Sequence, residues 1–592
     1  GTEEAVVPVR SPTFCPGCPH RDSSWVFLEL RKDLADSDYM RRVHKRAGTD
    51  LVFHGDTGCY TMYMFEPNQD LMHNYSGMGL GGGTGAGINP FISNKQVVFM
   101  GDSTFFHSGM AAISDAVKHA QDITFVILEN KTTAMTGHQP TPGMERDLMD
   151  KPTFAQSIEL ILKGLTHQAG VPVLRVNPED RFEYRQTLEE TVLKNGVKII
   201  IADKECGITF HRRRKAEQAK TVSQMGFLPF QSLINITPEV CENCLECTRI
   251  TGCPALEMTE TPYGPKIQTS KSTCVSDGAC ARIKACPSFE EILVERSAPS
   301  ALFRLREEEP EMPLPRTVSA GDVFSTYITG VGGMGNGVVT AILVRAGLAE
   351  GYDVQFCEKM GLAIRNGGVY SHVVYARKGQ RISPIIPYGR ADLLIGIDHL
   401  EAARAMGSHS PIRVMSRART RAVVNSHKNS TVRRLTGKDD WSADEILRML
   451  ARRTRPGELT SLDASAVCEE LLGSSLYANL MILGTAFQKG YLPVSLESLQ
   501  KAMEISVGKR DLDNNRRAFR LGRLLAEKPG LAMAVLGDEA TQNLEAVVQD
   551  REKLLGGVQG LTYREEVFAY CGAMAHLAES VRAAFALRVY DL

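Results

Sequence analysis

The sequence predicts a multidomain α/β protein, and three observations predict it. The first 225 or so residues alternate apolar, strand-like runs with helical segments, the pattern of a parallel α/β domain. Seven of the 14 cysteines fall between positions 241 and 286, which marks a small Cys-rich module. From Val323 a second strand, a glycine-rich turn and a helix begin, and from about Trp441 Leu, Ala and Met recur at helical spacing to Leu592. A chain of 592 residues with 43% hydrophobic residues fills several cores, and domains of about 100 to 200 residues imply about three to five of them. The expected organisation is an α/β domain over 1–230, the Cys-rich module over 231–295, a charged, Pro-rich linker over 296–322, a second α/β domain over 323–530 and a helical extension over 531–592.

Composition excludes several classes of function. Lys+Arg number 68 against 69 Asp+Glu, a net charge of -1, so no global field draws the chain to nucleic acid or anionic membrane. The basic run His211 to Lys215 is short and reads as solvated or partner surface. No apolar stretch approaches the roughly 20 residues of a membrane span, and the first residues lack the basic-then-apolar order of a secretory signal. A cytoplasmic location is expected. The chain opens on Gly1 rather than Met, which leaves room for residues upstream. In a reducing compartment 14 cysteines point to metal or cluster ligation, not disulfides.

Within the first domain, strands are expected at 51–53, 96–100, 123–128 and 198–201, and helices at 24–33, 109–120 and 178–193. Cys15-Pro16-Gly17-Cys18-Pro19-His20 offers two thiolates at a spacing that suits iron and zinc alike. Cys59 and Cys206, taken singly, read as small buried hydrophobes. The apolar strand Val97 to Met100 ends in Gly101-Asp102-Ser103, and Asn130 closes the next strand 28 residues after Asp102. Two neighbouring strand ends thereby present hard oxygen donors suited to Mg²⁺ and phosphate, and a helix from about Ser108 aims its amides at the same anion. Gly77 to Gly85, by itself, reads as a flexible turn.

The Gly-Asp…Asn pair resembles the GDG…N signature of thiamine-diphosphate enzymes, with Ser103 replacing the second glycine. The continuation Lys131 to Pro140 resembles the loop of indolepyruvate-type 2-oxoacid:ferredoxin oxidoreductases. That resemblance implies thiamine diphosphate bound by Gly101, Asp102, Ser103, Asn130 and Thr132, with Mg²⁺ on Asp102, Asn130 and the Thr132 carbonyl. It also implies that Cys15, Cys18, Cys59 and Cys206 hold a 4Fe-4S cluster beside the cofactor.

Cys241-x2-Cys244-x2-Cys247-x5-Cys253-Pro254 resembles the bacterial ferredoxin run, whose last cysteine crosses to the partner cluster. The second copy reads Cys274-x5-Cys280-x5-Cys286-Pro287, with Asp277 where the repeat expects a cysteine. The resemblance implies a small α+β di-cluster domain. One 4Fe-4S cluster sits on Cys241, Cys244, Cys247 and Cys286, and a second cluster on Cys253, Cys274, Cys280 and Asp277. As a hard ligand, Asp277 leaves two outcomes open: a four-iron cluster with Asp277 or solvent at the labile iron, which is favoured, or a 3Fe-4S cluster.

In the second α/β domain, strand Phe324 to Thr329 leads into Gly330-Val331-Gly332-Gly333-Met334-Gly335 and a helix, a G-x-G-x-x-G in dinucleotide-fold context. NAD(P)H, with Glu358 as ribose ligand, is one reading. Met360 to Val373 resembles instead the Rossmann-like gamma domain of 2-oxoacid oxidoreductases, which carries no nicotinamide and helps accommodate coenzyme A, making Arg365 a candidate anion contact. Asp511 to Arg523 resembles the tail of the same subunit. Cys357, Cys468 and Cys571 lack ligand spacing and are expected to be buried thiols.

The implied activity is oxidative decarboxylation of a 2-oxoacid, with aryl pyruvates such as indolepyruvate favoured, to an acyl-CoA. Electrons leave through three iron–sulfur clusters to ferredoxin or another acceptor. The glutamate that activates thiamine belongs to a pyrimidine-binding domain not found here, so no catalytic residue is assigned. A partner subunit is expected to carry that domain, in a dimeric or higher hetero-oligomer. The competing expectations are a non-catalytic electron-transfer subunit and an NAD(P)H-linked oxidoreductase.

Overall fold

A computed structural model describes residues 7–261, 264–297, 312–359, 366–407, 413–509 and 511–532. Arg365, Cys571 and nearly all of the expected extension over 531–592 lie outside the described residues.

The first sheet contains β1 (Leu51–Gly55), β2 (Asn74–Tyr75), β3 (Lys95–Gly101), β4 (Ile123–Glu129), β5 (Val173–Val176) and β6 (Lys198–Asp203). All are parallel, in the order β2-β1-β3-β4-β6-β5. Both faces are covered, which is why β3 and β4 are apolar throughout. Val97 and Phe99 point into a core with Phe27, Leu30, Phe53 and Tyr184, while Val98 and Met100 point into the opposite one with Phe105, Ile113 and Ile127. Parallel pairing sends every carboxyl end to one edge, where doubly covered sheets bind ligands.

Two local expectations are corrected. The run Gly77 to Gly85 is not simply a turn, because Gly81–Ile88 is helical. Its glycines permit close approach: a Cβ at Gly82 would lie 2.6 Å from Ala112 Cβ, and one at Gly81 2.9 Å from the Gly55 carbonyl carbon. The helix after β3 begins at Asp102, not near Ser108, and reaches Lys118 through a π-type bulge at Phe105–Gly109. Such bulges recur at functional sites.

The Cys-rich module is closed by an antiparallel ribbon of β7 (Phe230–Ile236) with β10 (Phe289–Glu295), and β8 (Leu256–Thr261) pairs with β9 (Gly264–Thr269). Its two cysteine loops share one backbone path. Asn243 and Leu245 in the first, and Ser276 and Gly278 in the second, occupy left-handed positions before the short helices Glu246–Thr251 and Ala279–Arg282. Asp277 thus stands in the second loop where Cys244 stands in the first.

The second large sheet contains β11 (Val323–Val331), β12 (Asp353–Lys359), β13 (Gly368–Ala376), β14 (Leu393–Gly396), β15 (Arg421–Asn425) and β16 (Leu459–Leu462), in the order β12-β13-β11-β14-β15-β16. β13 runs antiparallel between β12 and β11, so the sheet departs from the all-parallel dinucleotide order. β16 lies inside the region expected to be helical. There the helices Ala478–Gln488 and Leu512–Glu527 cross with backbones almost touching, because a Cβ at Gly522 or Gly484 would strike the carbonyl oxygen of Met481 or Phe519.

The expected linker ends early: Gln488 Nε2 donates to the Pro313 carbonyl at 2.9 Å, and Val318 N–H to Gly490 O at 3.0 Å. The start of the chain also leaves its expected domain. Arg10 is buried against the second unit, pairing with Asp398 at 3.2 Å and Glu401 at 2.9 Å.

Candidate functional site

Asp102 sits at the carboxyl end of β3, buried, accepting the Ser103 amide at 2.6 Å and the Lys131 amide at 2.7 Å. Burial pushes its carboxyl up to about 6 against the opposing pull of those two amides. The hydroxyl of Ser103 meets Thr133 at 2.8 Å, so the replacement of glycine by serine ties the two strand ends together. Asn130, ending β4, is buried; its amide nitrogen lies 3.2 Å from His20 Nε2, and its oxygen accepts the Thr132 amide at 3.2 Å. His20 is buried, which drives its pKa down to about 4 and leaves a neutral imidazole that accepts from Asn130. Gly101, Asp102, Ser103, Asn130 and Thr132 thus occupy one edge. A buried carboxylate with amide and carbonyl oxygens is a fitting donor set for Mg²⁺ beside phosphate.

A further carboxylate at this edge escaped the sequence reading. Asp56, after β1, accepts the Tyr60 hydroxyl and, at 3.1 Å, the Gly79 amide, and burial raises it to about 6. Its one signal was position, between the strand end and Cys59.

Cys15, Cys18, Cys59 and Cys206 converge on the same edge. Cys18 leads into the helix Pro19–Ala35, and Cys206 N–H donates to the Asn130 carbonyl at 3.1 Å. Burial pushes the Cys59 thiol far up, and Cys18, Cys15, Cys206 and Asp102 add to the shift. Burial likewise raises Cys18, with Cys15 and Cys206 contributing. Thiols raised in this way are protonated without a cation, and taking one up would require them to release their protons. Among the described residues no three Cys, His, Asp or Glu side chains close on one point as single-ion ligands do; thiolates spread around a cluster stand farther apart.

In the module, Cys253, Cys274, Cys280 and Asp277 line one cavity together with Pro16, Gly17 and Arg21. Cys247 is pushed up to about 12 by burial and by Cys286, Cys241 and Cys244. The two sets are those of the crossover pattern. Backbone amides donate to sulfur: Ile267 to Cys241 at 3.4 Å, Ser276 to Cys274 at 3.3 Å and Ser288 to Cys286 at 3.4 Å. Cys244 is exposed, whereas Cys241 and Cys247 are buried. The module presses on the first domain so closely that a Cβ at Gly17 would lie 2.6 Å from Val275 Cγ2.

The turn Gly330 to Gly335 is partly open: Val331, Gly332, Gly333 and Met334 line a cavity with Asn366 and His427, and Gly333 is exposed. Gly333 and Gly335 take left-handed angles, and Asn479 Nδ2 donates to the Gly335 carbonyl at 3.2 Å. Glu358 accepts from Ser371 Oγ at 3.2 Å. Cys468 is buried and Cys357 half-buried. Among the described residues no helix is long and apolar enough to cross a membrane.

Two family models match. Residues 56–202 match "Thiamine pyrophosphate enzyme, C-terminal TPP binding domain", and residues 325–525 match "Pyruvate ferredoxin/flavodoxin oxidoreductase". The chain is similar to "Indolepyruvate oxidoreductase subunit IorA" of Methanothermobacter marburgensis, 33% identical over 257 residues covering 43% of this chain and 37% of that one. The IorA subunit of Archaeoglobus fulgidus is 33% identical over 272 residues, 46% of this chain and 38% of that one. "Indolepyruvate oxidoreductase subunit IorB" of Archaeoglobus fulgidus is 29% identical over 200 residues, 34% of this chain and 93% of that one. The chain therefore spans little more than a third of the IorA relatives' length and nearly all of the IorB relative's.

Proposed function

From a chain that joins a thiamine-pyrophosphate-binding domain to a pyruvate ferredoxin/flavodoxin oxidoreductase domain and has indolepyruvate oxidoreductase homologues, we propose a 2-oxoacid:ferredoxin oxidoreductase subunit acting on aryl pyruvates. Coenzyme A is the acyl acceptor. One observation carries the reading: the candidate diphosphate ligands and four buried or half-buried cysteines share one sheet edge, joined by the Cys206 amide on the Asn130 carbonyl.

Thiamine diphosphate, when bound, supplies the decarboxylating chemistry, and clusters supply one-electron acceptance. Asp102, Asn130 and the Thr132 carbonyl hold Mg²⁺, while Gly101 and Ser103 line the diphosphate. Cys15, Cys18, Cys59 and Cys206 hold the adjacent cluster. Cys253, Cys274, Cys280 and Asp277 hold the next, and the Cys241 set, with exposed Cys244, is the exit toward ferredoxin. The activating glutamate comes from a partner subunit, giving a hetero-oligomer.

The test is anaerobic reconstitution of the full chain with iron, sulfide, Mg²⁺ and thiamine diphosphate. The expected result is Mg²⁺-dependent thiamine diphosphate binding with no 2-oxoacid-dependent dye reduction until a partner is added. Dye reduction by the chain alone refutes the partner requirement, and no cofactor binding in a folded, cluster-loaded chain leaves only an electron relay.

A further inference from the structure

Arg21 lies in the first turn of the helix Pro19–Ala35, three residues after Cys18. Its side chain is 7% exposed. Its Nη2 lies 3.6 Å from Asp22 Oδ1, but Nε and Nη1 have no hydrogen-bond partner among the described residues. A buried guanidinium with two unused donors is costly unless something accepts from it. The neighbouring cations have carboxylate partners: Lys204 pairs with Asp22 at 2.8 Å, Glu179 at 3.1 Å and Asp277 at 3.8 Å, and Arg181 with Asp22 at 3.3 Å. Arg181 leaves only its Nε without a partner, so of these cations Arg21 has the most buried donors unused.

Its position says what accepts. The side chain forms part of the wall of two cavities, one lined by Thr13, Trp25 and Thr251 and the other by Cys253, Cys274, Cys280 and Asp277, and its stem lies alongside Gly252, next to Cys253. Of the surrounding groups Cys253 attracts its charge most, followed by Asp22, Asp277 and Cys18. Arg21 therefore stands between two candidate cluster sites, on the helix that starts from one and in the wall of the other.

We propose that Arg21 is a positioning residue for electron transfer: its free Nε–H and Nη1–H donate to the sulfurs of the cluster held by Cys253, Cys274, Cys280 and Asp277 and raise that site's reduction potential. This rests on the functional reading above. The cluster with its three thiolates and a carboxylate is anionic, and reduction adds one more negative charge, so a desolvated cation at hydrogen-bond range favours the reduced state. Asp277 acts the other way, because a hard carboxylate favours oxidised iron over reduced iron. Arg21 offsets Asp277 and favours passage of one electron from the Cys15 site to the Cys253 site, with no bond made or broken.

The experiment is a potentiometric titration, read by electron paramagnetic resonance, of the anaerobically loaded full chain as wild type, Arg21→Gln and Arg21→Lys, after iron and sulfide analysis. The signal altered by Asp277→Cys identifies the site. In Arg21→Gln the reduced-to-oxidised ratio of that signal, at the wild-type midpoint, is expected to fall about tenfold, a shift of about 59 mV for one electron. Arg21→Lys should keep most of it, and the Cys241-site signal should not move. Loaded variants with unmoved potentials overturn the inference alone, whereas a wild-type chain that takes up no iron or sulfide overturns the functional reading with it. If Arg21→Gln does not fold, wild-type protein labelled with ¹⁵N-arginine is examined by pulsed resonance: nitrogen coupling to the reduced centre supports the contact, and its absence overturns it.

Discussion

Two backbone amides favour the carboxylate form of Asp102, against burial, which raises it to about 6. Replacing it with Asn keeps the shape and removes the charge. Asp102→Asn is expected to weaken Mg²⁺-dependent thiamine diphosphate binding at least tenfold, about 1.4 kcal/mol or more, by calorimetry. Asp277, like Cys244, stands between two left-handed positions, so Asp277→Cys should build a fourth thiolate without refolding the loop. Mild oxidation should then give several-fold less three-iron signal than in wild type; equal signals would mean that Asp277 does not govern loss of the labile iron. Residues like these stood out as candidates in the sequence because they lie at fixed spacing or at strand ends. His20 against Asn130, Asp56 under Tyr60, and Arg21 were not, since each owes its role to a neighbour distant in sequence or brought near only by folding.

At the scale of elements, β1, β3, β4 and β6 could be read directly because their strands are buried and largely apolar, whereas β2 and β5, short and mostly exposed, could not. The glycine-rich helix Gly81–Ile88 could not, because glycine disfavours helices and is present for what packs on it. The same device binds the helices Ala478–Gln488 and Leu512–Glu527. Gly522→Ala would drive a methyl into the Met481 carbonyl. It is expected to cost about 3 kcal/mol in chemical denaturation, whereas Gly508→Ala, with open space around it, should cost under about 1 kcal/mol. β16 was missed because four largely half-exposed residues carry little periodicity, and the antiparallel run of β13 because a strand's own residues do not announce its direction.

For the whole molecule, two contacts join parts far apart in sequence. Arg10 reaches Asp398 and Glu401 across nearly four hundred residues. Arg10→Ala leaves Asp398 buried without its main cation, and a loss of about 3 kcal/mol with faster proteolysis of the N-terminal segment is expected. His427 meets Asp463 at 3.2 Å beside Glu257 of the Cys-rich module and Glu469. Burial disfavours its charge, but Asp463 and the two glutamates outweigh that and push it up to about 9. Its stabilising contribution is therefore complete below about pH 6.5 and lost as pH rises through 9. His427→Gln should destabilise by on the order of 2 kcal/mol at pH 7 and converge on wild type by about pH 10, in denaturation series across pH. These long-range clasps were not readable from the sequence, because a single arginine or histidine carries no mark of its partner.

The Arg10 clasp has a consequence for dilution. Regions similar to IorA and to IorB subunits lie here on one polypeptide, so the clasp closes as an intramolecular event. Tethering gives its two sides an effective concentration of order millimolar, set by the connecting chain and not by how much protein is present. A contact too weak to assemble separate subunits at micromolar levels would still be closed here. The ratio of the two parts is fixed at one to one from the moment of synthesis.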